Sequence, residues 1–231
     1  NESHPSMMPP GGEAVSVPAD QALMHDELLE QILDRDNMRQ AWKRVKANNG
    51  AAGVDGLSVK EATSFIRQHW EGTYLSLANG RYVPAPIRRV EIPKLDGGIR
   101  LLGIPTVLDR LIQQAVAQVL TPIFDPHFSE SSYGFRPGRS AHNAVRQVQK
   151  HFRSYYPIAV DVDLAKFFDT VNHDLLMHLV GKRVKDRRVL KLIRKYLQAE
   201  VMEDGLSTKV RMGVPQGGPL SPLLANILLD E

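Results

Sequence analysis

Two aspartates, Asp161 and Asp163, close an apolar run within IAVDVDLAKFFDTV (158–171). If that run is a buried strand, its period of two puts both carboxylates on one face. A carboxylate at the end of a buried strand needs a compensating cation. A divalent ion such as Mg²⁺, which takes oxygen ligands, would supply one. An aspartate capping the turn or paired with an arginine would meet the same need, and these residues alone leave both readings open.

Three further stretches could carry chemistry. GVPQGGPLSP (213–222) is a loop entering a helix. Gly217 and Gly218 let backbone approach a ligand closely, and Gln216 could offer its amide to a base or sugar. IRRVEIPK (87–94) and IRLLGIP (99–105) flank Leu95-Asp96-Gly97-Gly98 and read as a β-hairpin. Arg88 and Lys94 have the same parity on the first strand and Arg100 lies across the turn, so three cations could clamp a triphosphate. They could equally be sheet decoration. In GFRPGRSAH (134–142), Arg136 and Arg139 precede a helix start, where backbone N–H groups favour anions. An arginine held between Gly and Pro could instead anchor the loop to an acid in the core.

The elements that must position these residues follow from pattern. Leu23, Leu28, Ile32, Met38, Trp42 and Val45 recur at helical spacing from Asp20 to about Ala47, and NNGAAGVDG (48–56) breaks that helix. Ser58 and Glu61 form a capping box for a helix to about Trp70. Thr106 caps the next helix, and 121–140 reads as a long loop before a helix from Ser140 to about Phe152. Asp174 is expected to cap a short helix and Asp186 a basic one ending near Gln198, with an Asp204-Gly205 turn between two short strands. Ser221 as N-cap and Pro222 at the first position start the closing helix. Helices, hairpins and short strands in this irregular order indicate a mixed α+β fold.

Composition narrows the functions. The 231 residues are 42% hydrophobic and 24% charged, enough for a packed core. The absence of cysteine removes disulfide frameworks, thiolate metal sites and thiol catalysis. No apolar run reaches the roughly 20 residues of a membrane helix. NESHPSMMPPGGEAVSVP (1–18) has no signal-peptide core, so a cytoplasmic protein is expected, with 1–19 disordered. The net charge of +3 hides an asymmetry. Residues 1–40 hold two basic and eight acidic side chains, and eight basic residues crowd 182–195 against Asp186 alone. Such clusters fit a phosphate-backbone binder or solvated helix faces.

In their order, the clamp hairpin, GFRPGRSAH, DVDLAKFFD and GVPQGGPLSP resemble the successive blocks of reverse transcriptases, most closely those encoded within group II introns. The resemblance runs from about Gly53 to Glu231. After the segment 1–19 it implies the fingers and partial palm of a right-hand polymerase: N-terminal extension and fingers (20–125), first palm part (126–170), second fingers part (171–212) and a palm part (213–231) expected to be truncated before the catalytic Asp-Asp hairpin. It also implies RNA-directed DNA synthesis from dNTPs on an RNA template with a DNA primer, and a maturase role in which the protein binds group II intron RNA and assists splicing.

By position, the resemblance makes Asp163 the catalytic, metal-binding aspartate. An aromatic follows it by five residues and an acid by six, a spacing that Asp161 does not meet. Leu164 would give its backbone carbonyl to Mg²⁺, and Phe168 would be the steric gate against a ribose 2′-OH. Gln216 would sit beside the incoming nucleotide, while Arg88, Lys94 and Arg100 would contact its triphosphate. The family's Tyr-Xaa-Asp-Asp does not occur in these 231 residues. A chain of these residues alone is therefore expected to bind metal weakly, not to polymerise, and to self-associate, as a homodimer or otherwise. A non-catalytic RNA-binding module and a retron or diversity-generating reverse transcriptase are the alternatives.

Overall fold

The computed structural model describes residues 27–93, 97–203 and 205–231. The expectation of disorder over 1–19 lies outside them. The helix expected over 20–47 is two helices where described, α1 (Leu28–Leu33) and α2 (Arg35–Asn48). Asp34 divides them. Its backbone is extended and its carboxylate accepts from the Asp36 and Asn37 N–H groups at 2.8 and 3.1 Å. A side-chain cap has thus outcompeted the apolar period.

The capping box forms as expected. Ser58 N–H donates to Glu61 Oε2 at 3.0 Å and Glu61 N–H to Ser58 Oγ at 3.3 Å. The helix it starts, α3 (Val59–Ala78), runs eight residues past Trp70. α4 (Val107–Phe124) continues through Pro122, so the loop begins later than expected. Pro122 withholds one intrahelical N–H. Next come α5 (Ala141–Arg153), the short α6 (Phe167–Thr170), α7 (His173–Arg183), α8 (Arg187–Leu197) and α9 (Ser221–Leu229). Asn172, not Asp174, caps α7, accepting at 2.8 and 3.0 Å. Ser221 is the first residue of α9 rather than its cap, and its hydroxyl donates to the Pro215 carbonyl at 2.6 Å.

The described sheet has four strands in the order β2-β1-β3-β4. β1 (Ile87–Pro93) and β2 (Ile99–Ile104) form the expected hairpin, with Arg88 opposite Ile104 and Ile92 opposite Arg100. β3 (Val201–Glu203) pairs with β4 (Leu206–Thr208) antiparallel and with β1 in parallel, through Ile87–Val201 and Arg88–Met202. That parallel pair joins segments more than a hundred residues apart.

The core forms around α4. Its Val107, Ile112, Ala115, Val116 and Leu120 are 1% exposed or less, packed against α1 and α2 on one side and α9 on another. A buried Leu or Ile contributes about 1.5–3 kcal/mol. α8 presents Val189, Leu192, Ile193, Tyr196 and Leu197 to the same core. The result is the mixed α+β architecture read from the sequence.

One element departs from expectation. Residues 158–164 are not a buried strand but an exposed segment without regular structure, with Ile158 and Val160 each 84% exposed. A strand is defined by its ladder, and among the described residues none pairs with this segment. The alternation of Ile158, Val160, Val162 and Leu164 supplies the pattern of a strand but not its partner.

Candidate functional site

A chain turn and a glycine loop build the site together. After Lys166, whose left-handed φ of 53° turns the chain, α6 carries Phe168. Phe168 stands edge-on to Phe167, with ring centroids 5.3 Å apart. Its carbonyl accepts from Val214 N–H at 2.7 Å, and Gly213 N–H donates to Val171 at 2.8 Å. Gly213 has φ 94°, and a Cβ there would lie 2.9 Å from the Phe168 carbonyl oxygen. The buried His173 bonds the Gly213 carbonyl through Nε2 at 2.7 Å. The ring at 168 and the loop at 213 are thereby fixed to each other.

The other end of the loop is fixed to the hairpin. Gly103 N–H donates to the Gln216 carbonyl at 2.7 Å. Gly217 has φ 121°, and a Cβ on it would sit 2.4 Å from the Gly103 carbonyl oxygen. The side chains meet too, as Arg100 Nε donates to Gln216 Oε1 at 3.0 Å. That contact orients the amide, leaving Gln216 Nε2 without a partner among the described residues and free to donate to a ligand.

Phe168, Gln216, Arg100 and Leu102 line one cleft of about 350 Å³. Its walls include Arg44, Arg100 and Arg110 and, among the described residues, no acid, so it suits an anion beside an apolar ring. A smaller cleft of about 230 Å³ lies on the other side of the hairpin and shares Phe168 and Gln216.

Of the residues expected to act together, the structure unites Phe168, Gln216 and Arg100. Arg88 has the same sheet face as Arg100 but lies at the far end of the hairpin, opposite Ile104, and its buried Nε lacks a partner. It does not line the cleft. Lys94 is outside the described residues. Asp161 and Asp163 are exposed on the unpaired 158–164 segment and line neither cleft. The Leu164 carbonyl accepts from Phe167 N–H at 3.2 Å, closing the turn. Among the described residues no three Asp, Glu or His side chains converge as a metal site would require.

The arginine loop resolves in favour of the anchor. Arg136 is 8% exposed and donates to Asp125 Oδ1 at 2.7 Å and to the carbonyls of Asp125 and Ser129 at 2.8 and 2.6 Å. Its guanidinium also lies 5.4 Å from the Phe128 ring centroid. Arg139 bonds the carbonyls of Glu130 and Ser132. The basic cluster is likewise largely spent on packing. Arg188 binds Glu30 with both terminal nitrogens at 2.7 Å and also Asp186. Arg194 pairs with Asp174, Lys182 with Glu231, and Lys195 bonds the carbonyls of Gly80 and Tyr82. Among the described residues Arg183, Arg187 and Lys191 keep no such partner.

Sequence reasoning missed Arg110 and Asp109. Both are buried on α4, and the signal was adjacent charges inside an otherwise apolar helical face. Asp109 accepts from Tyr82 at 2.8 Å, Thr106 at 2.7 Å, Ala85 N–H at 3.2 Å and Tyr196 at 3.3 Å. Burial raises its carboxyl above the usual range against those hydrogen bonds, and burial also raises the Tyr82 and Tyr196 hydroxyls. This network ties the base of the hairpin to α4 and α8.

Among the described residues no helix is long and apolar enough to cross a membrane. A profile of the family "Reverse transcriptase (RNA-dependent DNA polymerase)" matches residues 92–231. The chain is 37% identical over 218 residues to protein YkfC of Escherichia coli K12, covering 92% of this chain and 57% of YkfC. It is 38% identical over 205 residues to the group II intron-encoded protein LtrA of Lactococcus lactis subsp. cremoris, covering 88% of this chain and 34% of LtrA. Its fold matches a chain of a solved partial Cas6-RT-Cas1–Cas2 complex with a TM-score of 0.60 and 25% identity, over 88% of this chain and 34% of the other. The chain thus spans between a third and somewhat over half of these relatives.

Proposed function

The chain belongs to the reverse transcriptase family, and from that premise we propose that it supplies the fingers and part of the palm of an RNA-directed DNA polymerase of the group II intron type. In this reading residues 20–125 and 171–212 serve as fingers, and 126–170 and 213–231 as palm. The observation that carries it is the union of Phe168, Gln216 and Arg100 in one arginine-lined cleft, although they lie far apart in the chain.

Each would act on an incoming dNTP. The Phe168 ring would exclude a ribose 2′-OH by contact, the free Gln216 Nε2 would donate to the nucleotide, and Arg100 would neutralise phosphate. Arg88 and Lys94 would extend the cationic surface along the hairpin. Asp163 and the Leu164 carbonyl would be two ligands of Mg²⁺, an ion that in this chemistry stabilises charge on the transferring phosphate. Asp163 is the one carboxylate in that pair, and among the described residues no group of three Asp, Glu or His side chains gathers to complete the site.

RNA template with DNA primer would be the polymerase partners. Group II intron RNA would be held, in the maturase role, by cations without protein partners such as Arg183, Arg187 and Lys191.

Photocrosslinking of labelled dTTP and UTP to the 231-residue chain tests the reading. Preferential labelling by dTTP is expected, with Phe168→Ala bringing the two close to equal. Paired loss of Arg100 and Gln216 as alanines should abolish labelling. Labelling indifferent to all three residues would remove the nucleotide from this cleft.

A further inference from the structure

The peptide that joins Gly213 to Val214 is held at both edges. Its N–H donates to the Phe168 carbonyl at 2.7 Å. Its carbonyl accepts from His173 Nε2, also at 2.7 Å. A carbonyl can only accept, so Nε2 of His173 carries a proton. Both partners belong to one short stretch. Phe168 lies on α6 and His173 is the first residue of α7, with the buried Val171 and the cap Asn172 between them.

His173 is 4% exposed and Gly213 is buried, so their hydrogen bond is closed to water. Without the imidazole, the Gly213 carbonyl would be a buried acceptor left unpaired. Turning the peptide would relieve that cost, and a glycine at φ 94° has no side chain to resist the turn. The rest of the loop is tied to other elements. The Pro215 carbonyl accepts from Ser221 Oγ of α9 at 2.6 Å, and the Gln216 carbonyl from Gly103 N–H of β2 at 2.7 Å. Among the described residues His173 is the side chain that hydrogen-bonds the loop to α6 and α7.

We infer that His173 is a positioning residue of the nucleotide cleft, holding the Gln216 amide at a fixed distance from the Phe168 ring and setting the preference for deoxyribose over ribose. A gate that acts by contact excludes a 2′-OH only while the nucleotide is kept against it. The sugar preference rests on the function proposed above, since it needs a nucleotide in the cleft. The fastening of the loop does not.

The test compares the unaltered 231-residue chain with two variants. His173→Phe keeps a ring of similar size and removes the donor, and His173→Gln restores a donor through its amide. NMR hydrogen exchange reads the fastening. His173→Phe should speed exchange of the Gly213 and Val214 amides by about 2- to 12-fold, the worth of one hydrogen bond, with the α4 amides unchanged. His173→Gln should bring them back. Photocrosslinking with labelled dTTP and UTP reads the preference, and the dTTP to UTP ratio should fall in His173→Phe by a similar factor and recover in His173→Gln. Loop exchange that ignores His173→Phe overturns the inference. So does exchange raised as much through α4, which marks a merely structural residue. In the unaltered chain, long-range nitrogen–proton couplings of the imidazole should place a proton on Nε2. A bare Nε2 overturns the inference even where His173→Phe does not fold. A sugar preference that responds to Phe168→Ala but not to His173→Phe removes the positioning role and leaves the polymerase reading. Loop exchange that responds to His173 while labelling ignores Phe168 leaves the fastening and removes the polymerase reading.

Discussion

Arg100 on β2 and Gln216 in the glycine loop, 116 residues apart, share a 3.0 Å hydrogen bond from the guanidinium Nε to the amide oxygen. Backbone repeats the link, Gly103 N–H to the Gln216 carbonyl at 2.7 Å. The hairpin and the loop are therefore joined through side chain and backbone alike, and the geometry of the cleft depends on their close approach.

That approach predicts the effect of a single methyl group. Gly217→Ala puts a Cβ against the Gly103 carbonyl in a backbone region closed to alanine, so a loss of about 1–3 kcal/mol is expected in urea unfolding. Nucleotide labelling should fall as well. Unchanged stability would mean that the loop separates from β2 freely.

Asp109 predicts a pH dependence. Burial lifts its carboxyl above the ordinary value of 3.8, outweighing its hydrogen bonds to Thr106, Tyr82, Ala85 and Tyr196. A raised folded-state pKa gives stability that is complete below the unfolded value and lost as pH climbs through the folded one. Compared with Asp109→Asn, the unaltered chain should be relatively favoured in acid and lose ground towards neutrality. Urea unfolding of both proteins across that range checks the sign, and a constant difference would contradict it.

The basic helix α8 divides into structural and available cations. Arg188 bridges Glu30 of α1 and Asp186, whose Oδ2 also accepts from Leu29 N–H at 3.0 Å. Arg188→Ala should cost about 1–3 kcal/mol, less than for a fully buried pair because the guanidinium is partly in solvent. Its effect on RNA affinity should be small. Arg187→Ala with Lys191→Ala should show the opposite: unchanged melting, weaker RNA binding and a shallower salt dependence. Equal effects on RNA from both variants would show that ion pairing does not decide which cations are available.

The exposed 158–164 segment predicts self-association. Ile158, Val160, Val162 and Leu164 alternate along a solvated segment with no strand partner among the described residues, which is a template for pairing with another copy. Sedimentation should show concentration-dependent association, relieved by Ile158→Lys with Val162→Lys. A monomer at all concentrations would count against it.

Part of the cleft was legible because it is written in short spacings. The glycines around Gln216, the hairpin parity that puts Arg88 and Arg100 on one sheet face, and the Ser58–Glu61 box are local relations that the sequence states directly. Element types followed for the same reason, since caps and periods act within a turn or two. Tertiary structure decided what depends on distant partners. It paired β1 with β3 in parallel and chose the anchoring role for Arg136. It consumed Arg188, Arg194 and Lys195 in packing, and it buried Arg110 and Asp109 beneath the hairpin. An arginine looks the same in sequence whether a carboxylate stands beside it or water does. The apolar run at 158 became no strand for the same reason: alternation marks a face, but only a neighbouring chain segment can complete the hydrogen bonds that make a strand.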